Sequence, residues 1–78
     1  MKIVYTHHAQ QRMTQRKIDP AQVIETLETP DNVIPGDQHE QIAIKNYGNR
    51  EVRVVFESID DETVIIYTVM KPRVQSDE

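Results

Sequence analysis

His8, Arg12 and Arg16 recur at every fourth position near the start of the chain. At about 100° per residue this spacing collects all three in one narrow stripe of a helix. The planar guanidinium of arginine donates to phosphate oxygens in pairs and keeps its charge. Histidine can give or take a proton near neutral pH. Together they could hold a phosphodiester and assist its cleavage, above all one whose neighbouring 2′-hydroxyl is the nucleophile. The alternative is a structural brace, with Glu25 and Glu28 of the next helix as partners, and spacing alone favours it.

Other side chains could join this chemistry. Arg53 lies in an alternating β pattern, on the face opposite Val52, Val54 and Phe56, where it could share a polar spot with Tyr67 or pair with Glu57 or Lys45. Lys71 and Arg73 flank Pro72 and add positive charge after the last strand. His7 and His8 point about 100° apart on a helix and cannot serve one site. His39, in a polar turn, reads as solvated. No spacing of the H-x-x-x-H type is present, so no metal is expected, and neither a Gly-rich phosphate loop nor a Ser-His-Asp set occurs. No cofactor is expected.

The elements that must position these groups can be read in order. Ile3, Val4 and Tyr5 make a short β-prone start, and Thr6 is a plausible N-cap for a helix running to about Arg16. In that helix Ala9 and Met13 form the packing edge beside the basic stripe. Asp19-Pro20-Ala21-Gln22 then combines an N-cap, a proline at the first helical position and a capping-box glutamine. Val23, Ile24 and Leu27 share a face of this second helix, and Pro30 stops it. A short extended piece at 32–35 precedes the Gly36-Asp37 turn. Strands are expected around Ile42 and Ile44, from Val52 to Phe56 and from Val64 to Met70, separated by turns at 46–49 and 59–62.

The expected fold is therefore α+β, with two N-terminal helices packed on a three- to four-stranded antiparallel sheet. One domain over 1–74 with a flexible tail over 75–78 accounts for the chain. The last two strands carry apolar residues on both faces: Val55 opposes Val52, Val54 and Phe56, while Ile65, Tyr67 and Val69 oppose Val64, Ile66 and Met70. Two helices cover only one face, so Val55, Ile65 and Val69 are expected to form a partner surface, with a homodimer as one use of it. The alternative is a curled sheet that partly buries both sets.

Composition limits the remaining choices. The formal net charge is -4, from nine basic and thirteen acidic residues, which argues against a broad, non-specific nucleic-acid binder but leaves room for a local basic site. Cysteine is absent, which excludes disulfides and thiolate metal sites. No apolar run approaches the ~18 residues of a membrane helix, and the N-terminal residues lack a signal-peptide core. A cytoplasmic protein is the expectation.

The elements Tyr5-Thr6-x-His8-Ala9-x-x-Arg12-Met13-x-x-Arg16-x-Ile18, Val23-x-x-x-Leu27-x-x-Pro30, Arg53-Val54-Val55-Phe56 and Val64-x-x-x-Thr68-Val69 resemble the domain-of-unknown-function 4258 (DUF4258) family over nearly the whole chain. These small bacterial proteins look related to RelE/ParE-type toxins. The resemblance implies a toxin-like protein of a toxin–antitoxin type, with an antitoxin as protein partner and RNA as substrate of a metal-independent endoribonuclease. In such an enzyme His8, Arg16, Arg53 and Tyr67 are the expected catalytic set, and Arg12, Lys71 and Arg73 the phosphate-binding one. A non-catalytic interaction module or homodimer on a degenerate toxin fold is the alternative.

Overall fold

The computed structural model describes residues 1–73; the tail expected at 75–78 lies outside the described residues. The chain runs β1 (Lys2–Tyr5), α1 (His7–Arg16), α2 (Pro20–Glu28), β2 (Asn32–Pro35), β3 (Gln41–Asn46), β4 (Glu51–Ser58) and β5 (Thr63–Met70). All five strands join one sheet in the order β1-β5-β4-β3-β2. Pairing is antiparallel except between β1 and β5, which run parallel.

This corrects the expected architecture of two N-terminal helices on a three- to four-stranded antiparallel sheet. The sheet is five-stranded and mixed, and a strand precedes both helices. The reason is long-range pairing that no local pattern announces. β1 has only four residues, and its partners Thr63 to Ile66 lie some sixty positions downstream. The Thr6 amide extends the pairing by donating to the Ile66 carbonyl at 3.1 Å.

The helix boundaries follow their caps. The Thr6 hydroxyl accepts from the Ala9 amide at 3.0 Å and donates to the Tyr67 carbonyl at 2.9 Å, so one side chain starts α1 and ties it to β5. α1 ends at Lys17, which adopts a left-handed φ of 56° while the Ile18 amide reaches back to the Met13 carbonyl at 2.9 Å. Ile18 thereby turns inward and is buried. At α2, Pro20 opens the helix and the Gln22 side chain accepts from the Asp19 amide at 3.2 Å.

Both helices cover one face of the sheet, α1 over β1 and β5 and α2 over β3 and β4. Between the layers lies a core of Ala9, Ile18, Val23, Val52, Val54, Val64, Ile66 and Val69, edged by Tyr5, Met13, Leu27 and Phe56. The one buried polar residue among those described, Thr26, is satisfied by the Gln22 carbonyl at 2.7 Å.

A β-bulge decides which side chains of β5 reach this core. Val55 pairs with Thr68, but Phe56 pairs with Ile66, which leaves Tyr67 as an inserted residue. The insertion shifts the alternation by one position, so Ile66 and Val69 both point inward and both are fully buried. Val69 is thus core, not the partner surface expected of it. The open face instead carries Ile42, Ile44, Val55, Ile65 and Met70, all half-buried, together with Val4, Arg53, Glu57, Tyr67 and Thr68.

Candidate functional site

On the outward side of α1, His8 Nε2 accepts a hydrogen bond from Arg12 Nε at 3.3 Å, and an Arg12 terminal nitrogen donates to Gln15 at 3.0 Å. The stripe of His8, Arg12 and Arg16 exists as the periodicity implies. Its expected carboxylate partners are engaged elsewhere or stand apart: Glu25 accepts from the Tyr47 hydroxyl, and the only ion pair among the described residues joins Arg53 to Glu51.

Arg16, at the C-terminal end of the stripe, opens onto a cleft of about 360 Å³ that it lines with Lys17, Arg50 and Lys71. Three parts of the chain meet there. α1 ends in Arg16 and Lys17, the β3–β4 turn delivers Arg50, and the segment after β5 delivers Lys71. An Arg50 guanidinium nitrogen donates to the Lys71 carbonyl at 3.4 Å, and Lys71 Nζ donates to the Lys17 carbonyl at 3.4 Å. The Glu51 amide adds a bond to the Pro72 carbonyl at 3.0 Å, and Arg50 forms an isolated antiparallel bridge with Arg73. Arg73 is therefore held beside the same cleft.

Part of this positive charge answers the carbonyls at the negative end of α1, through Lys71 above all. Arg16 and the rest of Arg50 go beyond that need. Two like charges about 8 Å apart in water repel by about 0.5 kcal/mol, so four cations around one cleft favour an anion between them. Guanidinium groups on two walls suit a phosphate oxygen pair.

The remaining expected residues lie on the other side of the sheet. Arg53, flanked along β4 by buried Val52 and Val54, faces away from the helices and holds Glu51 through bonds of 3.0 Å from both Nε and a terminal nitrogen. It pairs with neither Glu57 nor Lys45; Lys45 instead donates to the Thr29 carbonyl at 2.8 Å. The Tyr67 hydroxyl donates to Glu57 at 2.6 Å. That acceptor, followed by partial burial and by the charges of Glu57 and Glu40, raises the phenol above its ordinary range.

Tyr67 and Glu57 line a second pocket with Val55, Gln38, His39 and Glu40, also of about 360 Å³. Its acidic character is built in. Glu40's own backbone amide, then those of Asp37, Gln38 and His39, hold its carboxyl below the usual carboxylate range against partial desolvation, the Asp37 amide donating at 3.2 Å. A Cβ on Gly36 would lie 2.6 Å from Glu40 Cγ, so glycine is what lets that side chain fold in. Among the described residues no three His, Asp or Glu stand together as a metal site requires.

The expected set therefore divides. Arg16 and Lys71 line one cleft with the Arg73 backbone bridged to Arg50 beside it, His8 and Arg12 sit along the same helix, and Arg53 and Tyr67 occupy the far face. Lys17 and Arg50 escaped the sequence reading because one looked like a connector and the other like the end of a turn. No helix among the described residues is long and apolar enough to cross a membrane. No curated protein and no solved structure matches the chain. The family model described as Domain of unknown function (DUF4258) matches residues 5–71.

Proposed function

The chain belongs to the DUF4258 family, and we propose that this member is a toxin-like RNA-binding protein, with metal-independent endoribonuclease chemistry of the RelE/ParE kind carried on α1. The observation that carries the reading is the cleft of Arg16, Lys17, Arg50 and Lys71 in a chain of net charge -4. A protein of this charge repels nucleic acid except where cations are gathered, and here they are gathered at one end.

Arg16 and Arg50 hold one backbone phosphate, with Lys71 and Arg73 adding attraction at the rim. From there the stripe leads along α1 through Arg12 to His8. Eight residues of helix rise about 12 Å, roughly two nucleotide steps of an extended single strand. His8 then meets a different phosphodiester from the one in the cleft. With RNA in place the His8 Nε2 lone pair turns from Arg12 to take the 2′-hydroxyl proton as that oxygen attacks phosphorus; the 5′-oxygen of the next nucleotide leaves with a proton from water, and a 2′,3′-cyclic phosphate remains. Arg12, within hydrogen-bond reach of His8, offsets the charge that builds on the phosphoryl oxygens.

The test is binding and cleavage of labelled single-stranded RNA at several salt concentrations. Arg16→Ala and Lys71→Ala should each weaken binding and reduce the salt slope by about 0.7 for every phosphate left without its cation. His8→Ala should leave binding intact and lower the cleavage rate by about a hundredfold or more. A wild type that neither binds RNA at low salt nor cuts it would overturn the reading.

A further inference from the structure

The open face of the sheet sorts its charge by level along β4. Arg53 stands at one level, Val55 at the next and Glu57 at the third, so the cation and the anion are equally far from Val55 on opposite sides. The register extends this order across the sheet. Beside Val55 lie Ile42 and Thr68, beside Arg53 lie Ile44 and Met70, and beside Glu57 lies Ile65. Glu57 is backed by the acidic pocket that Gln38, His39, Glu40 and Tyr67 complete.

Such a face is complementary to itself under one operation. A two-fold axis in the plane of contact, crossing the strands at Val55, stacks β4 on β4 of a second copy with direction reversed. Val55 then meets Val55, Ile42 meets Ile42, and Met70 meets Ile65 in both halves. Arg53 of each copy arrives over Glu57 of the other.

We infer that two copies of this chain associate through their open sheet faces about this axis, with Arg53 of each seated in the acidic pocket of its partner. The pocket suits that occupant: two carboxylates to accept from a guanidinium, the Tyr67 ring beside them and Val55 as apolar floor. Among the described residues the half-exposed Arg53 side chain is held by the partly buried Glu51 alone, through one carboxylate oxygen, which leaves guanidinium donors for a second carboxylate.

Area bounds the strength of this association. Under this axis β4 and β5 overlap over most of their length, β2 and β3 in part and β1 not at all, so strands about 4.8 Å apart give a flat footprint of about 300 Å² per copy, about 600 Å² for the pair before side-chain relief is added. That is below the ~1,000 Å² of stable specific interfaces, so the dimer is a weak one whose pairing is chosen by charge. It involves neither the cleft nor α1, so it stands or falls separately from RNA binding.

The experiment is sedimentation of the purified chain across micromolar to sub-millimolar concentrations. The wild type should pass from 9.1 kDa towards twice that mass. Arg53→Glu and Glu57→Arg should each weaken self-association by about tenfold or more, because each sets like charges together at both ends. Mixed together, those two variants should form a heterodimer, since every pairing is then between opposite charges. That mixture also shows that both variants fold. A wild type monomeric at every concentration, or single variants that dimerise normally, or a mixture that stays monomeric, would overturn the proposal.

Discussion

The two faces of the sheet are built from similar side chains and meet different fates. Ile66 and Ile65 are neighbours on β5, yet Ile66 is fully buried beneath α1 and Ile65 stands half-buried on the open side. Apolar content alone does not say which face becomes core. Coverage by the helices does, and the covered face is therefore where the stability of so small a chain must reside.

The sharpest way to break that comparison is to shorten each isoleucine in turn. Ile66→Ala should cost about 3 kcal/mol, from lost burial plus the cavity left behind, and in a domain this small that removes much of the folding free energy. Ile65→Ala at low protein concentration should cost about 1 kcal/mol or less. Urea denaturation measures both. Equal losses would mean that the open face is packed as tightly as the covered one.

Thr6 links the faces, and its removal ranks next. Its hydroxyl caps α1 and also satisfies the Tyr67 carbonyl at the bulge. Thr6→Ala should cost about 2 kcal/mol, about half from the cap and half from the second bond, whereas Thr6→Ser keeps most of both. If Thr6→Ala costs no more than an ordinary cap, the tie to the bulge contributes nothing.

The bulge also marks where sequence reading reaches its limit. Local chemistry announced the helices well: Thr6, the Asp19-Pro20 pair and Pro30 bound α1 and α2 within a residue or two. The extended piece at 32–35 is β2. These features depend on residues close in sequence. β1 pairs with a strand some sixty residues on, and the inserted Tyr67 moves Val69 from the open face to the core without any glycine to signal it. The basic cleft was legible only in part for the same reason. Arg16 and Lys71 stood out, while Lys17 and Arg50 acquire meaning only when α1, the β3–β4 turn and the residues after β5 are brought to one place.

Lys17 offers a smaller effect of opposite sign. It is the one non-glycine residue with positive φ among those described, a conformation that disfavours side chains with a Cβ by about 1–2 kcal/mol. Lys17→Gly relieves that strain but gives back part of the gain as lost chain entropy, so the net stabilisation should be about 1 kcal/mol. A higher thermal midpoint with weaker RNA binding would separate the cleft's charge from the helix terminus it decorates. A lower midpoint would mean that the Lys17 side chain itself braces the fold.

Arg16→Ala has the smallest expected effect on stability and decides the most. The basic stripe was ambiguous between brace and binding site, and the two readings differ in what this truncation does. As a brace, Arg16 would need partners, yet no hydrogen bond or ion pair from its side chain is found among the described residues, and Glu25 is taken by Tyr47. The side chain is exposed at the mouth of the cleft. Removing it should therefore change folding stability by about 0.5 kcal/mol or less, and relief of repulsion from Lys17, Arg50 and Lys71 could make that change stabilising. Denaturation and RNA titration on the same sample test this together. A loss of affinity without a loss of stability assigns Arg16 to an anionic ligand. A loss of stability well beyond that bound assigns it to the fold, and the phosphate role would pass to Arg50.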